Sequence, residues 1–362
     1  MRYFARPGAI DALDAPLIRK IFPRYRKIVQ GRLPAAFQIA KRIEAEFDGR
    51  TDVESLWDMH GKLANIFHET RKRIDAGEME LDSLKTGGKS LLDLKLLLVE
   101  KVMEDCRLCE RRCGVNRWAG ELGACRVGSR CLISSEFMHM GEEPYISPSH
   151  TVFFMGCSFH CQFCQNWMIS QWYEKGTEVE GKHLAEIIGK RKKEGARNVN
   201  FVGGEPTPQL FWILEALKHC DANIAAIWNS NMYMTERTMG ILDGAVDMYL
   251  SDFKYGNDAC AFRLSKVKRY FEVCSRNHLA AADRAEVTVR HLVLPGHIEC
   301  CTKPVLEWIA GNIKDRCLVN LMDQYYPCWR ARLYPDINRG ITAEEFEAAV
   351  SFASRLGLNF IT

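Results

Sequence analysis

From residue 151 onward, short apolar runs alternate with amphipathic helical segments, and this alternation limits the possible folds more than any other feature of the chain. The predicted strands are 151–156, 198–202, 224–228, 247–251, 286–293 and 317–322. Helical periodicity occupies 182–194, 207–219, 235–243, 263–281 and 302–314 between them. Strands that alternate with helices must run parallel and be joined by right-handed crossovers, so the predicted class is α/β, a barrel or a doubly wound sheet. In both architectures the reactive groups collect at the C-terminal ends of the strands.

The unusual residues of this chain fall at those ends. Cys157, Cys161 and Cys164 follow the first strand, Gly203-Gly-Glu-Pro206 the second, Asn229 and Asn231 the third, Asp252 and Lys254 the fourth, and Asp323-Gln324 the sixth. In the fifth, Glu286, Thr288, Arg290 and Leu292 share one face, and Val287, Val289, His291 and Val293 form the more apolar other one, which turns Arg290 inward. The C-x3-C-x2-C triplet is the most telling of these groups. A structural zinc site closes with four ligands and a [4Fe-4S] cube normally takes four cysteines, so three thiolates leave a coordination position open for substrate or cofactor.

Residues 1 to about 105 read as helices. Thr51-x-x-Glu54 has the form of a capping box before a helix with Leu56, His60, Leu63, Phe67 and Ile74 on one face, with His60 as a packing residue. Similar patterns cover 14–29 and 33–47, and Ser90 to Glu104 is a very apolar helix. Lys85-Thr-Gly-Gly-Lys-Ser90 has the ending of a phosphate loop, but Ser83 stands where the first glycine belongs and no strand precedes it, so it reads as a turn.

Cys106, Cys109, Cys113 and Cys125 offer four more thiolates just before the first strand, enough to close a site as zinc or as a second iron–sulfur cluster. Arg107, Arg111, Arg112, Arg117, Arg126 and Arg130 surround them, placed either to offset the charge of a thiolate–metal unit or to form a basic patch on a zinc ribbon. Cys131 is a substitute ligand, Cys300-Cys301 and Cys328 are loop candidates, and Cys220, Cys260, Cys274 and Cys317 read as packed residues. The predicted division is therefore 1–105 helical, 106–135 a small cysteine-rich metal-binding segment, and 136–362 the α/β unit.

Fifteen cysteines in a chain of 362 residues suit metal binding better than disulfides in a reducing compartment. No apolar run approaches the ~18 residues of a membrane span. Met1-Arg-Tyr-Phe-Ala-Arg-Pro7 lacks the pattern of a secretory leader, so the expected location is the cytoplasm, with no membrane partner. A net charge of +3 from interspersed charges does not call for a nucleic-acid partner.

The triplet, with Phe163 directly before its last cysteine and Gly203-Gly-Glu-Pro206 at the next strand end, resembles the radical S-adenosylmethionine (radical SAM) superfamily from about residue 150 to 360. The resemblance implies a partial (β/α)6 barrel in which Cys157, Cys161 and Cys164 hold a [4Fe-4S] cluster whose open iron binds S-adenosylmethionine. Reductive cleavage of SAM to a 5′-deoxyadenosyl radical for hydrogen abstraction would follow, with flavodoxin or ferredoxin as electron donor. It further implies that Phe163 contacts the adenine, and that Gly203, Gly204 and Glu205 receive the methionine ammonium. Asn229 and Asn231 would reach the ribose, and Asp252, Lys254 and Arg290 the SAM carboxylate or an adjacent cation. Turn chemistry remains open for the two asparagines, and an ion pair for the charged residues.

Ser251-Asp-Phe-Lys-Tyr255 and Arg290-His-Leu-Val-Leu-Pro295 resemble pyruvate formate-lyase activating enzyme and its uncharacterised homologues, implying an oxidoreductase that places a glycyl radical on a partner enzyme. Two features depart from that group: 156 residues precede the triplet, and Asp323-Gln-Tyr-Tyr-Pro327 replaces an expected histidine. Radical modification of another protein, peptide or metabolite is the alternative. A reading of another class is a non-catalytic zinc or iron–sulfur protein that binds nucleic acid through the segment Cys106 to Cys125.

Overall fold

The computed structural model describes residues 12–48, 50–84, 87–172 and 175–362. Met1 to Pro7, and Lys85 and Thr86 of the glycine-rich turn, lie outside them. The N-terminal region is helical, as expected, but more broken than its periodicity suggests. The predicted helix 14–29 is two helices, α1 (Pro16–Ile21) and α2 (Pro23–Val29). Pro23 has no N–H to continue α1 and instead starts α2. Only α3 (Ala36–Ala40) forms within 33–47.

The long helix α4 (Val53–Asp75) is capped by Asp52, whose side chain accepts from Ser55 N–H, and not by the expected Thr51–Glu54 box. In α5 (Leu91–Glu104) the box is present, between Ser90 and Asp93. His60 is buried on α4, with Nε2 2.8 Å from the Nζ of the buried Lys95, a packed role as expected. Among the described residues no helix is long and apolar enough to cross a membrane.

After the cysteine-rich segment come β1 (Leu132–His139), β2 (Ser149–Phe154), β3 (Thr177–Glu178), α6 (Gly181–Lys193), β4 (Asn198–Gly203), α7 (Leu210–His219), β5 (Ala225–Ser230) and α8 (Glu236–Leu242). Then follow β6 (Met248–Asp252), α9 (Asp258–Ser265), α10 (Tyr270–Arg284), β7 (Glu286–Leu292), α11 (Lys303–Asn312), β8 (Cys317–Met322), α12 (Ala343–Arg355) and β9 (Phe360–Ile361). Among the described residues all nine strands form one sheet, in the order β3-β1-β2-β4-β5-β6-β7-β8-β9. The run from β2 to β8 is parallel throughout and corresponds to the six predicted strands. The sheet does not close, because β3 and β9 are its edges.

Sequence patterning missed β1, which pairs antiparallel with β2. Leu-Ile-Ser-Ser-Glu-Phe-Met-His does not alternate cleanly, and only Ile133 and Met138 of it are buried. The predicted helix 263–281 is also two, α9 and α10, separated by a turn in which Lys266 and Arg269 both adopt positive φ. On β7, Val287, Val289 and His291 are wholly buried, and Arg290 points to the other side, as expected from the two faces.

The N-terminal helices hold the lower end of this sheet. The Glu286 carboxylate, at the start of β7, accepts from Arg24 N–H and Tyr25 N–H, both at 2.7 Å, and the Arg24 guanidinium meets Asp247 at 2.9 Å. Asn198 at the start of β4 donates to Tyr25 Oη at 2.8 Å. These contacts place α2 beneath the strand N-termini, at the end opposite the triplet. Replacing Glu286 with alanine leaves two backbone donors unpaired, and urea unfolding is expected to show a loss of roughly 2–4 kcal/mol at unchanged m. A loss below about 0.5 kcal/mol would mean that water satisfies those donors instead.

Candidate active site

The C-terminal ends of the parallel strands surround a cavity of about 270 Å3. Its walls include all the residues singled out for cluster and cofactor: Cys157, Cys161, Cys164, Phe163, Gly203, Gly204, Glu205, Asn229, Asn231, Asp252, Lys254 and Arg290. They come from the C-terminal ends of β4, β5 and β6, the loops after β2, β4, β5 and β6, and the inward face of β7, so convergence follows from parallel strand direction.

The three thiols sit in one loop, with Cys157 and Cys161 buried. Each sulfur has a polar neighbour. Cys157 Sγ accepts from Phe159 N–H at 3.3 Å, Cys161 Sγ lies 2.9 Å from Ser265 Oγ, and Cys164 Sγ lies 3.1 Å from Ser170 Oγ. Burial pushes all three thiols up, Cys161 to about 12. For Cys157 the charge of Glu205 adds to the effect. Metal binding takes thiolates, so loading the site must release acid. Three soft donors in one loop, with no fourth cysteine in the triplet, fit an iron–sulfur group that keeps one coordination position open.

The glycines of Gly203-Gly204 are needed for close approach. A Cβ on Gly204 would fall 2.1 Å from Gly156 O, immediately before Cys157, and Gly203 has φ +110 with the Phe154 backbone beside it. Glu205 is almost wholly buried. Its Oε1 accepts from Thr207 Oγ1 (2.6 Å), Ser230 Oγ (2.7 Å) and Thr207 N–H (3.3 Å), and its Oε2 accepts from Asn231 N–H at 3.0 Å. Burial raises its pKa despite these donors. Much of this carboxylate is thus engaged in tying the β4 turn to the end of β5, which the motif did not foretell.

Asn231 Nδ2 donates to Ser158 Oγ at 3.1 Å. Phe163 packs edge-on against Tyr325, with centroids 5.8 Å apart. Lys254 Nζ lies 2.5 Å from Asp252 Oδ2. Burial works against this ammonium, but Asp252 and then the Cys161 sulfur hold its pKa above the ordinary value. Arg290 lines the cavity but is already paired. Its guanidinium is held by Glu142 and by Glu143, with 2.8 Å from Nε to Glu143 Oε1. Nothing in the sequence marked Glu142, Glu143, Ser170 or Ser265, because none belongs to a spaced motif.

The thiols of Cys106, Cys109, Cys113 and Cys125 also gather. Burial raises the Cys109 thiol, and the charges of Cys125, Cys106 and Cys113 raise it further. This segment abuts the cavity loop through Arg111, whose Nε donates to Ser158 O at 2.8 Å. The neighbouring arginines are occupied by protein. Arg107 pairs with Asp105, Arg112 with Glu110 and Arg130 with Glu178, and the buried Arg117 donates to Gly128 O. Arg126 donates to Gln171 O. Cys131 is buried beside Glu178 and Glu215 instead, while Cys328 lies close enough to Cys164 to influence it.

An open parallel sheet with three thiolates and a glycine–glutamate turn at one mouth defines the class, and residues 151–309 match the family described as the Radical SAM superfamily. The chain belongs to the radical SAM superfamily, and with it come a [4Fe-4S] cluster and S-adenosylmethionine as cofactors. It is 44% identical over 344 residues to "Uncharacterized protein MJ0674" of Methanocaldococcus jannaschii, an alignment covering 93% of this chain and 98% of that one. Among solved structures, SuiB of Streptococcus suis bound to precursor peptide SuiA aligns with a TM-score of 0.44 at 17% identity. That alignment covers 57% of this chain and 46% of SuiB, so this chain spans less than half the length of that protein. HydG, a maturase of the [FeFe]-hydrogenase, aligns with a TM-score of 0.40 at 10% identity over 92% of this chain and 65% of HydG.

Proposed function

We propose that the cavity at the strand ends is a radical SAM active site in which Cys157, Cys161 and Cys164 hold the catalytic [4Fe-4S] cluster. The observation that supports this most is the meeting of the triplet with Gly203, Gly204, Glu205 and Asn231 around one cavity. When bound, the cluster and SAM supply a low-potential electron and a carbon radical able to take hydrogen from an unactivated C–H bond.

The chain's own residues bind and orient. Gly203 and Gly204 leave backbone edge accessible, and Oε2 of Glu205 has lone-pair capacity left for a cation from the cavity. Asn229 and Asn231 offer amides, Phe163 a ring face, and Lys254 a cation beside Asp252. Arg290 serves by holding Glu142 and Glu143 beneath the cavity. Residues 106–135 act as a metal-binding segment against the mouth, and the described residues of 1–105 as a helical support beneath the sheet of the unit 136–362.

For the molecule attacked, we infer a polypeptide, with glycyl-radical formation on a partner enzyme as the specific reaction. The rim beside the triplet supports a large substrate. Trp167 stacks on Trp329 with centroids 4.8 Å apart, and Trp172 against them is 64% exposed. Anaerobically reconstituted protein with reductant and SAM is expected to form 5′-deoxyadenosine. A co-purifying partner should then carry a persistent glycyl radical in electron paramagnetic resonance, whereas a modified product without that signal would point to another protein, peptide or metabolite. Glu205→Gln is expected to raise the apparent KM for SAM about tenfold, the loss of one charge-assisted hydrogen bond, with cluster absorption unchanged. An unaltered KM would remove Glu205 from SAM binding.

A further inference from the structure

We propose that Cys260, His297, Cys300 and Cys301 form a structural zinc site, separate from both cysteine groups described above. Their ligand atoms all lie within 4.8 Å of one another, which no other group of three or more histidine, cysteine or carboxylate side chains achieves among the described residues. Cys260 Sγ is 3.9 Å from Cys300 Sγ, and Cys300 Sγ is 3.9 Å from Cys301 Sγ. His297 Nδ1 is 3.7 Å from Cys260 Sγ, 3.2 Å from Cys300 Sγ and 3.7 Å from Cys301 Sγ. A tetrahedral zinc with bonds of 2.3 Å to sulfur and 2.0–2.1 Å to nitrogen sets its ligands about 3.8 Å apart between sulfurs and about 3.6 Å apart between sulfur and nitrogen. The five distances scatter about those values.

The surroundings complete the chemistry. His297 directs Nδ1 at the thiols, and its Nε2 donates to Asp336 Oδ2 at 2.9 Å, the carboxylate partner that fixes the tautomer of a ligating histidine. Asp336 is held in turn by Arg263. Gly256 lets the chain pass close to the 300–301 backbone, because a Cβ there would fall 2.8 Å from Cys300 O and 2.9 Å from Cys301 O. Three thiolates and an imidazole leave no position for a substrate, so the site is structural and selects a soft tetrahedral ion. Sequence spacing hides it, since Cys260 stands alone on α9 and reads as a packing residue.

The site clamps the first turns of α9 to the segment after β7. At its other end α9 supports the catalytic loop, with Ser265 Oγ 2.9 Å from Cys161 Sγ. Gln162 N–H donates to Leu264 O at 2.8 Å, and His160 N–H to Ser265 O at 3.0 Å. Zinc would therefore steady the helix on which the cluster loop rests.

The test is zinc content and zinc X-ray absorption on full-length protein purified anaerobically with zinc in the medium, beside Cys260→Ser and Cys300→Ser. Wild type is expected to hold about one zinc with three sulfurs and one nitrogen, and each variant to lose at least about tenfold of it. Zinc at the Cys106 group would add an all-sulfur shell that the variants keep, so the difference between wild type and variant is the readout. If the variants fold poorly, the nitrogen in the wild-type shell still decides. Absence of zinc, an all-sulfur shell alone, or full zinc retention in Cys300→Ser overturns the proposal.

Discussion

Changing Cys157, Cys161 and Cys164 together to alanine is expected to remove about four iron atoms per chain from anaerobically reconstituted protein and to abolish SAM cleavage. The prediction is specific because the three cysteines line one cavity. Iron and sulfide counting on wild type and variant also separates one cluster from two. A residue of iron in the variant would belong to Cys106, Cys109, Cys113 and Cys125, whereas complete loss would mean that this group holds no iron. Retention of all iron and of 5′-deoxyadenosine formation by the variant would end the assignment of these cysteines.

Gly204→Ala is expected to have the next largest effect. The new methyl would fall 2.1 Å from Gly156 O and 2.8 Å from Gly156 C, contacts that only movement of backbone can relieve. Gly204 N–H is also bonded to Phe154 O at 2.8 Å, so the β2 and β4 ends must separate or the cysteine loop must shift. Overpacking of this kind costs about 3 kcal/mol, and the displaced loop should take up iron poorly. The check is a thermal unfolding midpoint together with iron content. Gly189→Ala supplies the control, because its Cβ meets nothing within 4 Å on helix α6 and the change should be neutral or stabilising by up to about 1 kcal/mol. Equal behaviour of the two variants would show that the close approach at Gly204 is not rigid.

Legibility along the chain followed how local the controlling physics was. Strands β2, β4, β5, β6, β7 and β8 were readable because buried parallel strands are short, apolar and bounded by helices, and each places its next residues at the same end of the sheet. Strand β1 was not, since an antiparallel strand carrying Ser134, Ser135 and Glu136 lacks that signature. The N-cap of α4 moved by one residue, from Thr51 to Asp52, because several polar residues compete for the role and only backbone geometry selects one. The turn splitting 263–281 depends on positive φ at Lys266 and Arg269, residues with no intrinsic preference for it.

The same division holds for the site. Cysteine spacing and the glycine–glutamate turn determined by themselves where iron and SAM chemistry should sit, because the ligands of one loop are near in sequence as well as in space. Tertiary structure alone decided that Glu142 and Glu143 occupy Arg290, that Ser265 and Ser170 reach the sulfurs, and that Cys260 meets His297, Cys300 and Cys301. Those partners lie far apart along the chain or outside any motif. Their meeting depends on strand register and helix packing, which no local pattern of side chains encodes.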